Sequence, residues 1–333
     1  MTTILQIDGR AKARRLNDAL NTAVLGYRNQ VETIVCTLLA GGHVSALGEP
    51  GTAKTLTMRA VAWCIANASY HREQLVPDTM PADLLGTNVY IKDKSKFRFR
   101  YGPLNPTVNL FHADEINRTT PKTQSALLQA MEEGQISTPR GVKSLHEVFM
   151  LLATRNPIDL EGTYPMPAAQ LDRFAVELYY DRLPKEMELE VLAKTSFDRH
   201  GLDPALKGVI SIDEIPAIRR EMTGVHCSRS ITAYVEELIH ATRPDAANDL
   251  HKDLKGAFKA GVSVRAGQWL LRLGRARAYM QEREYITPDD IKFFVPAVLR
   301  HRLYLTEEKQ LQGVKPDQLI QTILGAVKVV NQD

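Results

Sequence analysis

At 333 residues, with 44% hydrophobic and 24% charged positions, the chain has an ordinary globular composition and length enough for two cored domains. Its net charge of +3 is evenly spread, with 20 Lys+Arg against 18 Asp+Glu over residues 1–184 and 22 against 21 beyond, so bulk electrostatics makes no case for nucleic acid. Residues 1–20 contain no signal-peptide core and no eighteen-residue apolar run appears, so no membrane-spanning helix is expected, and Cys36, Cys64 and Cys227 are too scattered for a metal signature or disulfide framework, which suits a reducing cytoplasm.

In chain order, the first strong element is the apolar run His43–Leu47, read as a strand. The glycine-rich Gly48-Glu49-Pro50-Gly51-Thr52-Ala53-Lys54-Thr55 follows, and then the helix-compatible Leu56–Ala68. A strand that turns through such a loop into a helix suits nucleoside triphosphate phosphates, because loop N–H groups and the positive helix end face the negative charge. Lys54 can reach the β- and γ-phosphate oxygens, and the Thr55 hydroxyl can ligate Mg²⁺. Ala53 stands where a second glycine usually precedes the lysine, and its Cβ is expected to require a negative φ.

Lys92–Tyr101 alternates cations and aromatics with period two, and is read as half of a half-buried hairpin with solvated cations. The run Asn109–Glu115 is a strand ending in adjacent acids, which places Asp114 and Glu115 at the carboxyl edge of a sheet beside the phosphate loop. Asp114 is expected to hold Mg²⁺, while Glu115 orients and deprotonates a water that attacks the γ-phosphate. Asn109 and His112 are unusually polar for such a strand and are assigned structural roles.

Thr120-Pro121 starts a helix ending at Gly134, Gln135–Glu147 reads as a hairpin or loop, and Val148–Ala153 is a further strand. Asn156, just past that strand, can present an amide to the attacking water or simply end a turn with Pro157. Arg173 is either an ordinary ion-pair residue or a guanidinium supplied to a neighbouring nucleotide, a device that can raise phosphoryl-transfer rates by about 10³–10⁵. Ala175–Tyr179 is the last strand. After Leu183-Pro184 the segments Glu188–Ala193, Ser230–Ala241, Arg265–Glu282 and Pro288–Leu299 have helical spacing, and strand signals nearly vanish. The expected organisation is therefore an α/β core over residues 1–183, a parallel sheet sandwiched by helices, and a mainly helical lid over 184–333.

Taken together, these elements resemble the MoxR branch of the AAA+ ATPases, from about Val24 to Leu305. The resemblance is carried by Ala113–Arg118 running into Pro121–Gly134, by Asn156-Pro157 running through Glu161–Pro165 to Ala169–Phe174, and by a loop of the Gly-x-Pro-Gly-x-Ala-Lys-Thr type. It implies that Gly48–Thr55 is Walker A and that Asp114 and Glu115 are Walker B. It further implies that Asn156 is sensor 1, Arg173 an arginine finger acting in the next subunit, and Arg265 a sensor-2 arginine. Arg118 is an alternative trans-acting arginine. Val24-Leu25-Gly26, with Leu56, resembles the adenine-pocket segment, Gln74–Pro103 the helix-2 insert, and Gly134–Glu147 the pre-sensor hairpin. Arg155 departs from the usual Gln.

The resemblance implies ATP and Mg²⁺ as cofactors, a homo-oligomeric, hexameric ring, a von Willebrand factor A domain adaptor, and remodelling or maturation of a client protein. Two competing readings are a nucleic-acid-directed motor or initiator, opposed by the near-neutral charge, and a nucleotide-gated scaffold with little hydrolysis, opposed by Glu115, Asn156 and Arg173.

Overall fold

The computed structural model of the chain describes residues 8–92, 96–157, 162–193 and 202–329. Positions 93–95 of the expected hairpin and Glu161 of the quoted string lie outside them. The chain divides into two compact units. One gathers Arg15–Phe174 with Leu178–Pro216; the other holds the chain from Ala217 onward, the part of helix Gly9–Ala23 up to Arg14, and Ala175–Glu177.

Five strands form the central sheet: β1 (Val44–Gly48), β2 (Tyr70–Gln74), β3 (Leu110–Asp114), β4 (Met150–Arg155) and β5 (Val176–Tyr180), in the order β5-β1-β4-β3-β2. The pairs β1/β4, β4/β3 and β3/β2 are parallel. Strands β3 and β4 are buried almost throughout, as a strand covered on both faces should be, and this explains their continuous apolar runs. Strand β2, Tyr-His-Arg-Glu-Gln, lies at the edge and is half exposed; it carries no apolar run and sequence reading missed it. In register, Gln74 pairs with Asp114 and Leu47 with Arg155, so the carboxyl ends of neighbouring strands meet along one edge.

Helix Lys54–Cys64 leaves the phosphate-loop sequence. It stops short of the expected Ala68 because Ile65 turns extended and Asn67 is left-handed at φ 62; Ile65–Ala66 then pairs with Ile210–Ser211. Helix Pro121–Glu133 has the expected bounds, with proline in its first turn and left-handed Gly134 (φ 59) at its end. Its Leu127 and Leu128 pack with Phe111, Leu151 and Phe174 in one buried cluster.

Two hairpins project from this unit. Gln135–Thr138 pairs with Gly141–Ser144, and Gly86–Ile91 pairs with Lys96–Tyr101. The second confirms the period-two alternation and corrects the expected burial. Only Phe99 is buried, while Phe97 is 67% exposed, because the ribbon joins no larger sheet that could cover its aromatic face.

The other unit is helical. Val264–Met280 packs against both Arg229–His240 and Pro288–Leu299. Pro288–Leu299 opens with a capping box in which the Thr287 N–H and hydroxyl both donate to Asp290 Oδ2 at 2.8 Å. Among the described residues no helix is long and apolar enough to cross a membrane.

Candidate active site

Pro50–Leu56, Asp114, Glu115 and Asn156 line one cavity of about 430 Å³ at the carboxyl edge of the sheet. Four residues to which sequence reading gave no role in the site line it with them: Arg72 and Thr154, which were not named, Gln74, named only as the start of the insert, and Arg155, named only as a departure from the family pattern. Gly48 and Glu49 are not among its lining residues. Their carbonyls accept from Lys54 Nζ at 2.5 and 2.6 Å, and the Glu49 carboxylate pairs with Arg182 at 2.8 Å. Burial lowers the Lys54 pKa, opposed by the negative field of Asp114, Glu115 and Glu49.

Ala53 corrects the expectation of a negative φ. It sits at φ 57, following Gly51 at φ 83, because the loop enters its helix through a left-handed turn. A Cβ in that region costs roughly 1–2 kcal/mol. The turn is fixed by Thr57, whose N–H and hydroxyl each donate to the Ala53 carbonyl at 2.9 Å. Ala53→Gly is therefore expected to raise the unfolding free energy by up to about 1 kcal/mol, because glycine's extra freedom in the unfolded chain offsets part of the relieved strain. Urea denaturation measures this, and a clear loss of stability would show that the left-handed turn is unstrained.

The two acids are held differently. Asp114 ends β3 and accepts from Arg72 Nε at 3.0 Å and Nη2 at 2.6 Å, and from the Thr154 hydroxyl. Burial raises its pKa, but the hydrogen bonds from Thr154 and Arg72 and the Arg72 charge outweigh that and leave it below the usual value. Glu115 is itself left-handed, at φ 56, and its N–H donates to Thr154 Oγ1 at 3.0 Å. Its carboxylate accepts from Gln74 Nε2 at 2.7 Å and forms an ion pair with Arg118, whose Nε lies 2.9 Å away. Both Ala53 and Glu115 thus occupy sparsely populated backbone conformations on the same cavity, the pattern expected where geometry is fixed for function.

Asn109 is structural, as expected: buried, it accepts from Ser69 N–H at 2.9 Å and donates to the Val148 carbonyl at 3.0 Å. His112 is fully buried, with Nδ1 3.2 Å from the Tyr70 hydroxyl and Nε2 3.7 Å from Asp114 Oδ1. Burial lowers its pKa to about 4, so it packs behind Asp114 as a neutral ring.

Val24 lines a second cavity of about 650 Å³ with Leu25, Tyr27, Leu183, Val191, Pro50–Ala53 and Leu56. The wall is chiefly apolar, as a stacked base requires. Gly26 is not among the lining residues, but its φ of 81 and the Leu183 Cδ2 position, 2.4 Å from any added Cβ, make glycine necessary beside that wall. Arg173 lines neither cavity and pairs with Glu132 at 2.7 Å. Arg265 lies in the other unit, in the first turn of Val264–Met280.

This fold and cavity define a P-loop nucleotide-hydrolysing class, and comparison with known proteins narrows it. Residues 43–176 match the profile of the ATPase family associated with various cellular activities (AAA), and residues 252–323 match the AAA lid domain. The chain is 36% identical to the uncharacterized protein YeaC of Bacillus subtilis, over 93% of this chain and 92% of that one. It is 32% identical to Chaperone MoxR1 of Mycobacterium tuberculosis, over 91% and 78% respectively. The crystal structure of a provisionally assigned ATPase from Cytophaga hutchinsonii superposes with a TM-score of 0.86 at 34% identity, covering 97% of this chain and 96% of that one. The chain belongs to the MoxR family of AAA+ ATPases, and its enzymatic activity is ATP hydrolysis.

Proposed function

We propose that the chain is a Mg²⁺-dependent, ring-forming ATPase, hexameric, that remodels or helps mature a client protein through a von Willebrand factor A domain adaptor in the cytoplasm. The observation that carries the hydrolytic part is the convergence of Lys54, Thr55, Asp114, Glu115 and Asn156 on one cavity. Thr55 and Asp114 offer the hard oxygen donors Mg²⁺ prefers, and the ion would neutralise charge on the β- and γ-phosphates. Lys54 supplies further positive charge to the phosphates. Glu115 takes a proton from the attacking water, and Asn156 orients that water. Val24 and Leu56 hold the base, with Gly26 shaping the wall.

Arg173 acts on the nucleotide of the neighbouring subunit, and Arg265 reports nucleotide state to the helical unit. Two features support a trans role for Arg173. It lines neither cavity of its own chain, and a carboxylate partner, Glu132, keeps the guanidinium ordered until a neighbour docks. Arg118 fits the role less well, because it already grips the Glu115 of its own chain.

Mixing two inactive variants tests the shared site. Glu115→Gln lacks the base but retains the finger, whereas Arg173→Ala lacks the finger but retains the base. A one-to-one mixture should recover roughly a quarter of wild-type turnover if subunits assemble at random in a closed ring. No recovery in a mixture whose co-assembly is verified by differential tagging would refute the shared site.

A further inference from the structure

The ribbon Gly86–Ile91/Lys96–Tyr101 has two unlike faces. Its register pairs Tyr90 with Phe97, Asn88 with Phe99 and Gly86 with Tyr101, which sets the aromatic side chains on one face. Ile91 with Lys96, Val89 with Arg98 and Thr87 with Arg100 make up the other. The aromatic face is engaged within itself. Tyr90 and Phe97 meet edge to face at 5.2 Å, Phe99 and Tyr101 do so at 5.1 Å, and Phe99 is buried. An isolated two-stranded ribbon is marginal in water, and cross-strand aromatic pairs of this kind supply what holds it.

The cationic face has no comparable engagement. Lys96, Arg98 and Arg100 are exposed and, among the described residues, make no ion pair; the twelve strand residues include no acid. Three positive charges are therefore gathered on one side of a short ribbon, in a chain whose whole net charge is +3. Its position is fixed at the base. A Cβ on Gly86 would lie 2.2 Å from the Arg100 carbonyl oxygen, and one on Gly102 would lie 2.3 Å from that of Leu84, so the two strands leave the body in close backbone contact. Leu104 N–H donates to the same Leu84 carbonyl at 2.9 Å.

We propose that this face is a docking surface for an acidic, extended polypeptide segment. The cations recur every second residue, a spacing of about 6.5–7 Å along a strand, which is the spacing of alternate side chains in an extended peptide. Guanidinium forks pair with carboxylates in two-point geometry, and Val89, 43% exposed beside Arg98, gives an apolar side chain a footing between them. A single-stranded nucleic acid fits less well. It needs rings and cations on the same side, so that bases stack while phosphates are neutralised, and here they lie on opposite faces with the rings already paired. The inference deepens the client-remodelling reading and rests on it, because the segment it names is the part of the client or adaptor that the ATPase holds.

The test uses full-length protein with a slowly hydrolysed ATP analogue and three fluorescent probes: a decapeptide alternating Glu and Leu, its Lys/Leu counterpart, and a twenty-nucleotide oligothymidylate. The acidic peptide should bind, the basic one should not, and the double change Arg98→Glu with Arg100→Glu should weaken acidic-peptide binding at least tenfold. The milder pair Arg98→Gln with Arg100→Gln should give an intermediate loss, and Arg140→Glu with Lys143→Glu on the other hairpin should give none. Basal ATP turnover should be unchanged in all of these variants. Equal peptide binding before and after charge reversal overturns the proposal, as does oligothymidylate binding that is tighter than peptide binding and lost on the same reversal. Absence of turnover in the wild-type protein would instead count against the ATPase site, so the two failures are distinguishable.

Discussion

Glu115→Gln is expected to lower ATP turnover by about 10²–10⁴, the range that a positioned general base contributes, while leaving nucleotide binding close to wild type. The reason lies in how the residue is held. Its backbone is pinned by the Thr154 hydroxyl, and its carboxylate is oriented by Gln74 and Arg118 at 2.7 and 2.9 Å. Glutamine has the same length and can still accept from Gln74, so the shape of the cavity persists while the ability to take a proton and the charge that pairs with Arg118 are removed. Lys54→Ala should differ in kind, since it removes charge from the phosphate loop and should weaken binding as well as turnover. Phosphate release at saturating ATP, together with the affinity of a fluorescent ATP analogue, separates the two. Comparable turnover in Glu115→Gln and wild type would mean that another group is the base.

The second large effect concerns folding. Asp290 is fully buried at the head of Pro288–Leu299 and accepts from Arg283 at 2.6 and 2.7 Å, from Arg277 at 3.2 Å, and from Thr287. Asp290→Ala removes the capping box and leaves two guanidiniums without their shared carboxylate. Loss of one member of a buried ion pair costs roughly 3–5 kcal/mol, and the lower end is expected because both arginines keep some contact with water. Burial pushes the Asp290 pKa up, but the Arg283 and Thr287 hydrogen bonds outweigh it and hold the pKa below the usual carboxylate value. A folded-state pKa below the unfolded one gives stability that is present above the unfolded value and lost as pH falls through the folded value. Acid titration of the urea midpoint should therefore show a loss below about pH 4 that is diminished in Asp290→Asn. A midpoint for Asp290→Ala within experimental error of wild type at neutral pH would contradict the assignment.

Which parts of the molecule were legible in the sequence follows from burial. Strands β1, β3 and β4 announce themselves because both faces are covered, and the helix Pro121–Glu133 because proline and glycine punctuate its ends. Lys54, Asp114, Glu115 and Asn156 could be found because a loop, a pair of acids and an amide each follow a readable strand. Strand β2 could not be read, since an edge strand needs no apolar run, and with it went the roles of Arg72 and Gln74 at the site. Spacing alone places those two on the same side of a strand, but only the parallel pairing with β3 reveals that they reach the two acids. Thr154 was passed over for a related reason: a hydroxyl inside an apolar strand reads as a tolerated residue until Asp114 is seen beside it. Ala53 was misjudged because a preference against positive φ is a local rule, and the loop's entry into its helix overrides it.

Strand β2 carries one more consequence. It ends at Gln74, and the short helix Pro81–Leu85, which runs directly into the ribbon strand Gly86–Ile91, is joined to it by residues 75–80 alone. That link is itself fastened: Leu75 N–H donates to the Asp114 carbonyl at 2.9 Å, and the Thr79 carbonyl accepts from Thr123 at 2.8 Å. The ribbon and the two acids are therefore opposite ends of one short tether. Were a client segment to pull on the ribbon as proposed, the pull would pass to the strand whose Arg72 and Gln74 hold the two carboxylates, through a single stretch of backbone.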